Sequence, residues 1–325
     1  MDEFAFIRSI APKHHQQSSL IKGIGDDAAI FRQPYQDIVT AVDTFVEGIH
    51  FSKQTMEPHH VGYRVLAANI SDIAAMGAVP AFYLISIVIP DSWTKAELSE
   101  IYKGMQMLAS QYQMDLIGGD TVSGKELTIS VTIIGYVEHN KVRYRNNARE
   151  NDLVFVTGTL GDSSAGLYLL TSQGHSLSDC TRDYFIERHR LPSPRVDFSR
   201  EMLPLSRVAL NDISDGIANE AAEIAEASRV TIHLDYNSLP VHPQLKQFTA
   251  EQQRKWKLFG GEDFEILGTA AESDWPAIRA AAEKAQIKVT RIGYVTHQPH
   301  NTGKVILQEG NEQSILDKSG YTHLK

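Results

Sequence analysis

Five short motifs in this sequence share one design, an aspartate beside glycine or another small residue at the end of an apolar run. They are Gly25-Asp26-Asp27, Ala41-Val42-Asp43-Thr44, Asn69-Ile70-Ser71-Asp72, Gly118-Gly119-Asp120 and Asp212-Ile213-Ser214-Asp215-Gly216. Small neighbours let a ligand approach the backbone, and a carboxylate at a strand end points into the crevice where α/β proteins bind ligands. Mg²⁺ prefers near-octahedral oxygen ligation and takes one or two carboxylates together with substrate phosphates. Several such ions need several aspartates, which need not be neighbours in sequence. The pattern therefore fits a phosphate-handling site whose positive charge is supplied by metal. Taken singly, an Asp-Gly or Gly-Asp pair is a turn or a helix cap. Asp72 is harder to explain that way, because an unpaired carboxylate in its Ala-rich helical pattern is costly to bury. A salt bridge to Arg64 would also account for it. Asp26 and Asp27 are adjacent and are not both expected to face one site.

The overall charge points the same way. Among 325 residues, 40 are acidic and 31 basic, a formal charge of −9. A nucleic-acid binder leans the other way, so no nucleic-acid partner is expected. Phosphate and an acidic surface repel each other unless divalent cations stand between them. The familiar phosphate binders are absent: there is no G-x-x-x-x-G-K-[ST] loop and no protein-kinase motif set. Gly158-Thr159-Leu160-Gly161-Asp162 is similar to a glycine loop before a helix but lacks the lysine. The 13 histidines include no H-E-x-x-H pair, and His14-His15 and His59-His60 read as surface loop residues. No G-x-S-x-G elbow appears, which disfavours a serine hydrolase. The single cysteine, Cys180, excludes an intramolecular disulfide and a multi-cysteine metal site. No apolar run reaches membrane-spanning length, and the opening Met-Asp-Glu-Phe has no signal-like pattern, so a cytoplasmic protein without a membrane partner is expected.

The elements that must hold these motifs read as mixed α/β. Strands are expected at 37–44, 81–89 and 127–137, and helices at 58–76 and from Thr94, where Glu97 completes a capping-box pattern. A polar stretch from Glu138 to Asn151 separates this half from a second, giving expected domains 1–145 and 146–325. In the second half, strands are expected at 153–157, 230–234, 264–267 and 287–295, with helices from Asp162 or Ser163, at 217–227 and at 275–285.

Taken in order, the motifs resemble those of the thiamine-monophosphate kinases. The resemblance rests on Gly25 to Ala29, Asp43 to Phe51, Asn69 to Ala78, Gly118 to Thr121, Asp212 to Gly216 and Gly260-Gly261-Glu262-Asp263-Phe264-Glu265. It extends to the closing Gly320-Tyr321-Thr322-His323 and so covers essentially the whole chain. That family groups with aminoimidazole ribonucleotide synthetase, selenophosphate synthetase and a hydrogenase maturation protein. The purine enzyme is expected to have Asp-Gly-Val-Gly-Thr-Lys where Asp43 to Gly48 stands. Selenophosphate synthetase should carry an N-terminal Cys and Lys, and the maturation protein a C-terminal cysteine; this chain has neither.

The resemblance implies a two-domain aminoimidazole-ribonucleotide-synthetase-like fold, α/β in class. Its N-terminal ATP- and Mg²⁺-binding domain dimerises through its sheet, and its C-terminal α/β domain completes the cleft. The implied reaction is transfer of the ATP γ-phosphoryl group to thiamine monophosphate, direct and in line, by a homodimer. Asp27, Asp43, Asp72, Asp120 and Asp212 are then metal ligands for several Mg²⁺ ions, with Asp215 holding a further one and main-chain oxygens near Ala41 and Val42 contributing. Tyr102, Gly119, Asp120, Arg145 and Ser214 match nucleotide-contacting positions, with Arg143 the alternative to Arg145. His50, Glu262 and Tyr321 match thiamine-phosphate contacts, where a carboxylate beside a cationic ring and an aromatic face suit the ligand. No covalent or general-base residue is expected. On residue grounds alone, His50 also fits a turn cap, Tyr321 a packing residue, and Tyr102 the buried edge of its helix. A related phosphatase or ligase, and a nucleotide-binding regulator without turnover, are the alternatives. The regulator should have lost metal aspartates, and all are present.

Overall fold

A computed structural model describes residues 10, 12, 14–22, 30–32, 35–172 and 177–320. Asp26, Asp27 and Tyr321 lie outside the described residues. The chain divides into two compact units, one of Met1–Ile73 with Ala78–Asn140, the other of Ala74–Gly77 with Lys141–Lys325. No helix among the described residues is long and apolar enough to cross a membrane.

The first unit contains β1 (Leu20–Lys22), β2 (Ile30–Phe31), β3 (Gln36–Val46), α1 (Pro58–Ala75), β4 (Val79–Ile89), α2 (Lys95–Gln111), β5 (Asp115–Ser123) and β6 (Thr128–Glu138). β1 and β2 pair with each other, and the other four strands form one sheet in the order β3-β6-β4-β5. Alternation drives β3: Phe45 is buried, while Ile38, Val42 and Thr44 are exposed. β3 pairs antiparallel with β6 along its whole length, and β4 runs parallel to β5. α2 begins at the expected capping box, with the Thr94 hydroxyl accepting from the Glu97 amide. α1 and α2 meet at backbone distance: a Cβ on Gly104 would stand 1.9 Å from the His59 carbonyl oxygen. His59 and His60 therefore sit on the first turn of α1 rather than in a loop, and His60 Nδ1 accepts from the Glu57 amide at 3.3 Å. β5 went unread in the sequence because Gly118 and Gly119 interrupt its apolar run; Asp120 lies inside this strand, not at its end.

The second unit contains β7 (Asp152–Thr157), α3 (Asp162–Thr171), α4 (Asp179–Arg190), α5 (Val196–Glu201), β8 (Val208–Asp212), α6 (Ile217–Ser228), β9 (Thr231–Asp235), α7 (Ala250–Phe259), β10 (Ile266–Ala271), α8 (Trp275–Lys284), β11 (Val289–Thr296), β12 (Val305–Glu309) and β13 (Glu312–Ile315). Its sheet runs β13-β12-β9-β11-β7-β10-β8, antiparallel except where β9 pairs with β12. Every residue of β7 is buried, as a central strand covered on both faces requires. Ile217, Ala221 and Ile224 of α6 belong to one core with Val154, Val156 and Leu267, while Ala165, Phe185 and Trp256 form another.

A buried ionic clamp precedes β10. Glu265, fully buried, accepts from Thr157 Oγ1 at 2.6 Å, Arg188 Nη2 at 2.8 Å and Arg195 Nε at 2.6 Å. Burial alone would push its carboxyl up, but Arg195 and Arg188 more than offset that and hold it below the usual range. Asp263 accepts from the amides of Gly161 at 2.6 Å and Ser163 at 3.0 Å, at the N-terminus of α3. The anion site that the glycine loop could offer a phosphate is thus filled by the chain's own Asp263 carboxyl group.

Burial, with the neighbouring Asp162, pushes the Asp263 carboxyl up to about 8. The folded protein holds a proton there that the unfolded chain, with Asp at about 4, releases. This contribution to stability is complete below the unfolded value and is lost as pH rises through the folded one. Urea unfolding between about pH 5 and 8 should show wild-type stability falling more steeply than that of Asp263→Asn, by up to about 1.4 kcal/mol per pH unit. Parallel slopes would contradict the assignment.

Candidate functional site

In the first unit, one helix face meets the second motif. The Asp43 amide donates to Asn69 Oδ1 at 3.1 Å, and Asn69 Nδ2 donates to the Val65 carbonyl within α1. Asp72, three residues beyond Asn69, shares its helix face and is half-buried. Asp43 and Asp72 are thereby brought to one region. Ala41 and Val42 lie on β3, which is an edge strand, so alternate carbonyls on this stretch point away from β6. His50 closes the turn after β3: its Nδ1 accepts from the Val46 amide at 3.0 Å and its ring lies 5.1 Å from that of Phe45. That bond assigns the ring proton to Nε2.

Asp120 lies elsewhere in the unit. Register pairs it with Ser86, and pairs Ser86 with Ser130 and Ser130 with Thr44, a row on the face opposite to Asp43. β3 and β5 are the two edges of the sheet, three strand spacings or roughly 14 Å apart. One copy of the unit does not bring Asp43 and Asp120 to a single ion. Gly119 has a structural reason of its own, since a Cβ there would meet the Ile85 carbonyl oxygen at 2.0 Å. Tyr102 is half-buried on α2, and burial pushes its phenol up.

In the second unit, the fifth motif leaves the end of β8 and enters α6 through Gly216. The glycine has φ +100, and any Cβ would meet the Phe259 backbone at 2.8 Å. The turn is paired with the Gly260–Glu265 segment: the Glu262 amide donates to Ser214 O at 2.7 Å, Phe264 to Ile213 O at 3.0 Å, and Ile213 to Glu265 O at 2.8 Å. Glu262 and Phe264 adopt positive φ, +64 and +50, which costs roughly 1–2 kcal/mol per residue. The clamp below and the backbone pairing above hold them there. Glu262, half-buried, sits beside the turn that carries Ser214 and Asp215. Gly320 donates to Asn219 Oδ1 at 3.1 Å and packs against Asp215 O.

Arg145 lies beside this turn, its Nε donating to Asn211 Oδ1 at 2.9 Å. Arg143 is committed elsewhere: it is buried, and Nη2 donates to the carbonyls of Met202, Leu203 and Leu205. The sequence reading missed Glu220. Burial and then Asp212 push its carboxyl up to about 8, against the hydrogen bond from the Asp215 amide, which lowers it. Its signal was a glutamate on the apolar face of α6, close in phase to Ile217 and Ile224. Asp212, Asp215 and Glu220 together offer only oxygen donors, the set that a hard divalent cation suits.

The family described as AIR synthase related protein, N-terminal domain, matches residues 25–137, and its C-terminal domain matches 149–306. The chain is 46% identical over all of both lengths to a thiamine-monophosphate kinase of Bacillus subtilis. It is 35% identical to the Escherichia coli K12 protein of that name, over 93% of this chain and 91% of the other. Among solved structures, the thiamine-monophosphate kinase of Stenotrophomonas maltophilia aligns at TM-score 0.85 and 31% identity, covering 97% and 98% of the two chains. AaThiL complexed with AMPPCP and TMP aligns at TM-score 0.77 and 29% identity, covering 93% and 92%. E. coli HypE, at 18% identity and TM-score 0.77 over 100% and 99%, shares the fold. The chain belongs to the thiamine-monophosphate kinase family of the AIR synthase related proteins.

Proposed function

We propose that this protein transfers the γ-phosphoryl group of ATP to thiamine monophosphate, giving thiamine diphosphate and ADP. The carrying observation is the full-length 46% identity to a thiamine-monophosphate kinase in a chain that retains all of the motif aspartates. The complex of AaThiL with AMPPCP, an ATP analogue with a carbon bridge between the β and γ phosphorus atoms, and TMP supports both substrates. An acceptor that is already a phosphate has an ionised oxygen at neutral pH, so no general base is required. The task left to the protein is to position two anions and offset their repulsion.

Asp43 and Asp72 in one unit, and Asp212 and Asp215 in the other, are the carboxylates we assign to Mg²⁺, with Asp27, Asp120 and the main chain at Ala41 and Val42 completing the set. When bound, the cations neutralise charge on the phosphates and on the transferring group. Arg145, Ser214, Tyr102 and Gly119 serve the nucleotide. His50, Glu262 and Tyr321 serve thiamine monophosphate, with His50 offering Nε2–H and Glu262 a carboxylate for the cationic heterocycle. Residues 1–145 form the nucleotide and dimerisation domain, 146–325 the second domain, and the protein works in the cytoplasm.

The assembly is a homodimer built on the sheet of the first unit. Its open face exposes Ile38 by 54%, Val42 by 60% and Val122 by 47%, interspersed with Thr44, Ser130 and Ser86. Apolar residues on a sheet face opposite its helices favour a covering partner. The separation of Asp43 from Asp120 on opposite edges also favours a second copy that brings unlike edges together.

Two measurements check this reading. Asp72→Asn should reduce formation of thiamine diphosphate at least ~100-fold with an unchanged melting temperature; retained activity would remove Asp72 from the metal site. Val42→Asp should convert a dimer in sedimentation velocity to a monomer, and a wild-type monomer at micromolar concentration would rule out the dimer.

A further inference from the structure

One carboxylate underlies the nucleotide side of the second unit. Glu220, 4% exposed, stands in the first turn of α6 beneath the Asp212–Gly216 turn. One of its oxygens accepts from Asn211 Nδ2, and Asn211 Oδ1 accepts from Arg145 Nε at 2.9 Å. The other accepts from the Asp215 amide at 3.1 Å and the Ser214 hydroxyl at 3.3 Å. α6 reaches Arg145 twice more: Glu223 lies 3.7 Å from Nη1, and the Ser228 hydroxyl donates to the Arg145 carbonyl at 2.6 Å.

These bonds have a definite polarity. All three groups facing Glu220 donate to it, so both of its oxygens serve as acceptors. A glutamate that merely capped its helix would bond only to amides at the helix start, as Glu220 does to the Asp215 amide. Its other two bonds run to the Ser214 hydroxyl and to Asn211 of β8, and through Asn211 onward to Arg145. From them we infer that Glu220 is a positioning residue for nucleotide binding, setting the Arg145 guanidinium through Asn211 and the Ser214 hydroxyl directly. It touches neither substrate. The inference rests on the nucleotide roles proposed for Arg145 and Ser214.

Glu220→Gln preserves volume but puts an amide NH₂ where an acceptor is needed, either against Asn211 Nδ2 or against the turn. The KM for ATP should rise roughly 10-fold, with the KM for thiamine monophosphate changing less than about 2-fold. Combining it with Asn211→Asp reverses donor and acceptor across that one hydrogen bond. The new aspartate still accepts from Arg145, so the double variant should recover most of the lost affinity. Calorimetry with Mg²⁺ and AMPPCP should give the same order: wild type, then the double variant, then Glu220→Gln.

The calorimetry also separates the two levels of the argument. If wild type phosphorylates no thiamine monophosphate, the functional reading fails, while the nucleotide titrations still test Glu220. Wild-type affinity in Glu220→Gln, or an equal rise in both KM values, would overturn the inference. So would a double variant that folds no better and binds no tighter than Glu220→Gln.

Discussion

The carboxylate of Glu265 is the constraint on which the second unit's site depends. It is fully buried between Arg188 and Arg195, with the Thr157 hydroxyl on one of its oxygens. Removing one partner from such a cluster strands the remaining charge and typically costs about 3–5 kcal/mol. Residues 262 and 264 hold a backbone conformation that side chains normally avoid, and the adjoining amides lock it to Ile213 and Ser214. Strain at Glu262 therefore persists because Glu265, three residues on, cannot move. The same segment fixes the turn carrying Asp212 and Asp215.

Above that foundation the chemistry is electrostatic. The carboxylates of Asp212, Asp215 and Glu220 crowd one turn, and burial together with Asp212 raises the last of them. Buried or half-buried acids without a nearby lysine loop make poor phosphate sites alone and good ones once divalent cations intervene. The glycine loop before α3, the other place in this unit for an anion, is closed by Asp263. An acidic chain can thus handle two anionic substrates.

Much of the architecture was legible from side-chain periodicity. The alternation in β3 and the stripe of α2 reflect burial on one face, and the capping box at Thr94 marked a helix start by a local interaction. β5 was not legible, because Gly118 and Gly119 stand where its apolar pattern should continue, one of them to let the Ile85 backbone approach. Glu265 was visible within a motif, but its arginines lie about seventy residues upstream, and no local pattern reports a pairing of that range. His50 shows the limit from the other side. One nitrogen caps a turn, as the plain structural reading holds, and that bond sets the proton on the other. Structural and functional readings of such a residue are not exclusive.

The most direct measurement follows the γ phosphorus itself. Purified protein is mixed with γ-³²P-ATP, Mg²⁺ and thiamine monophosphate, quenched in acid, and separated into nucleotide, thiamine, inorganic phosphate and protein fractions. The account predicts that label leaving ATP appears in thiamine diphosphate, matched by ADP, with none held on the protein. Label released as inorganic phosphate, or trapped on a side chain, would contradict it.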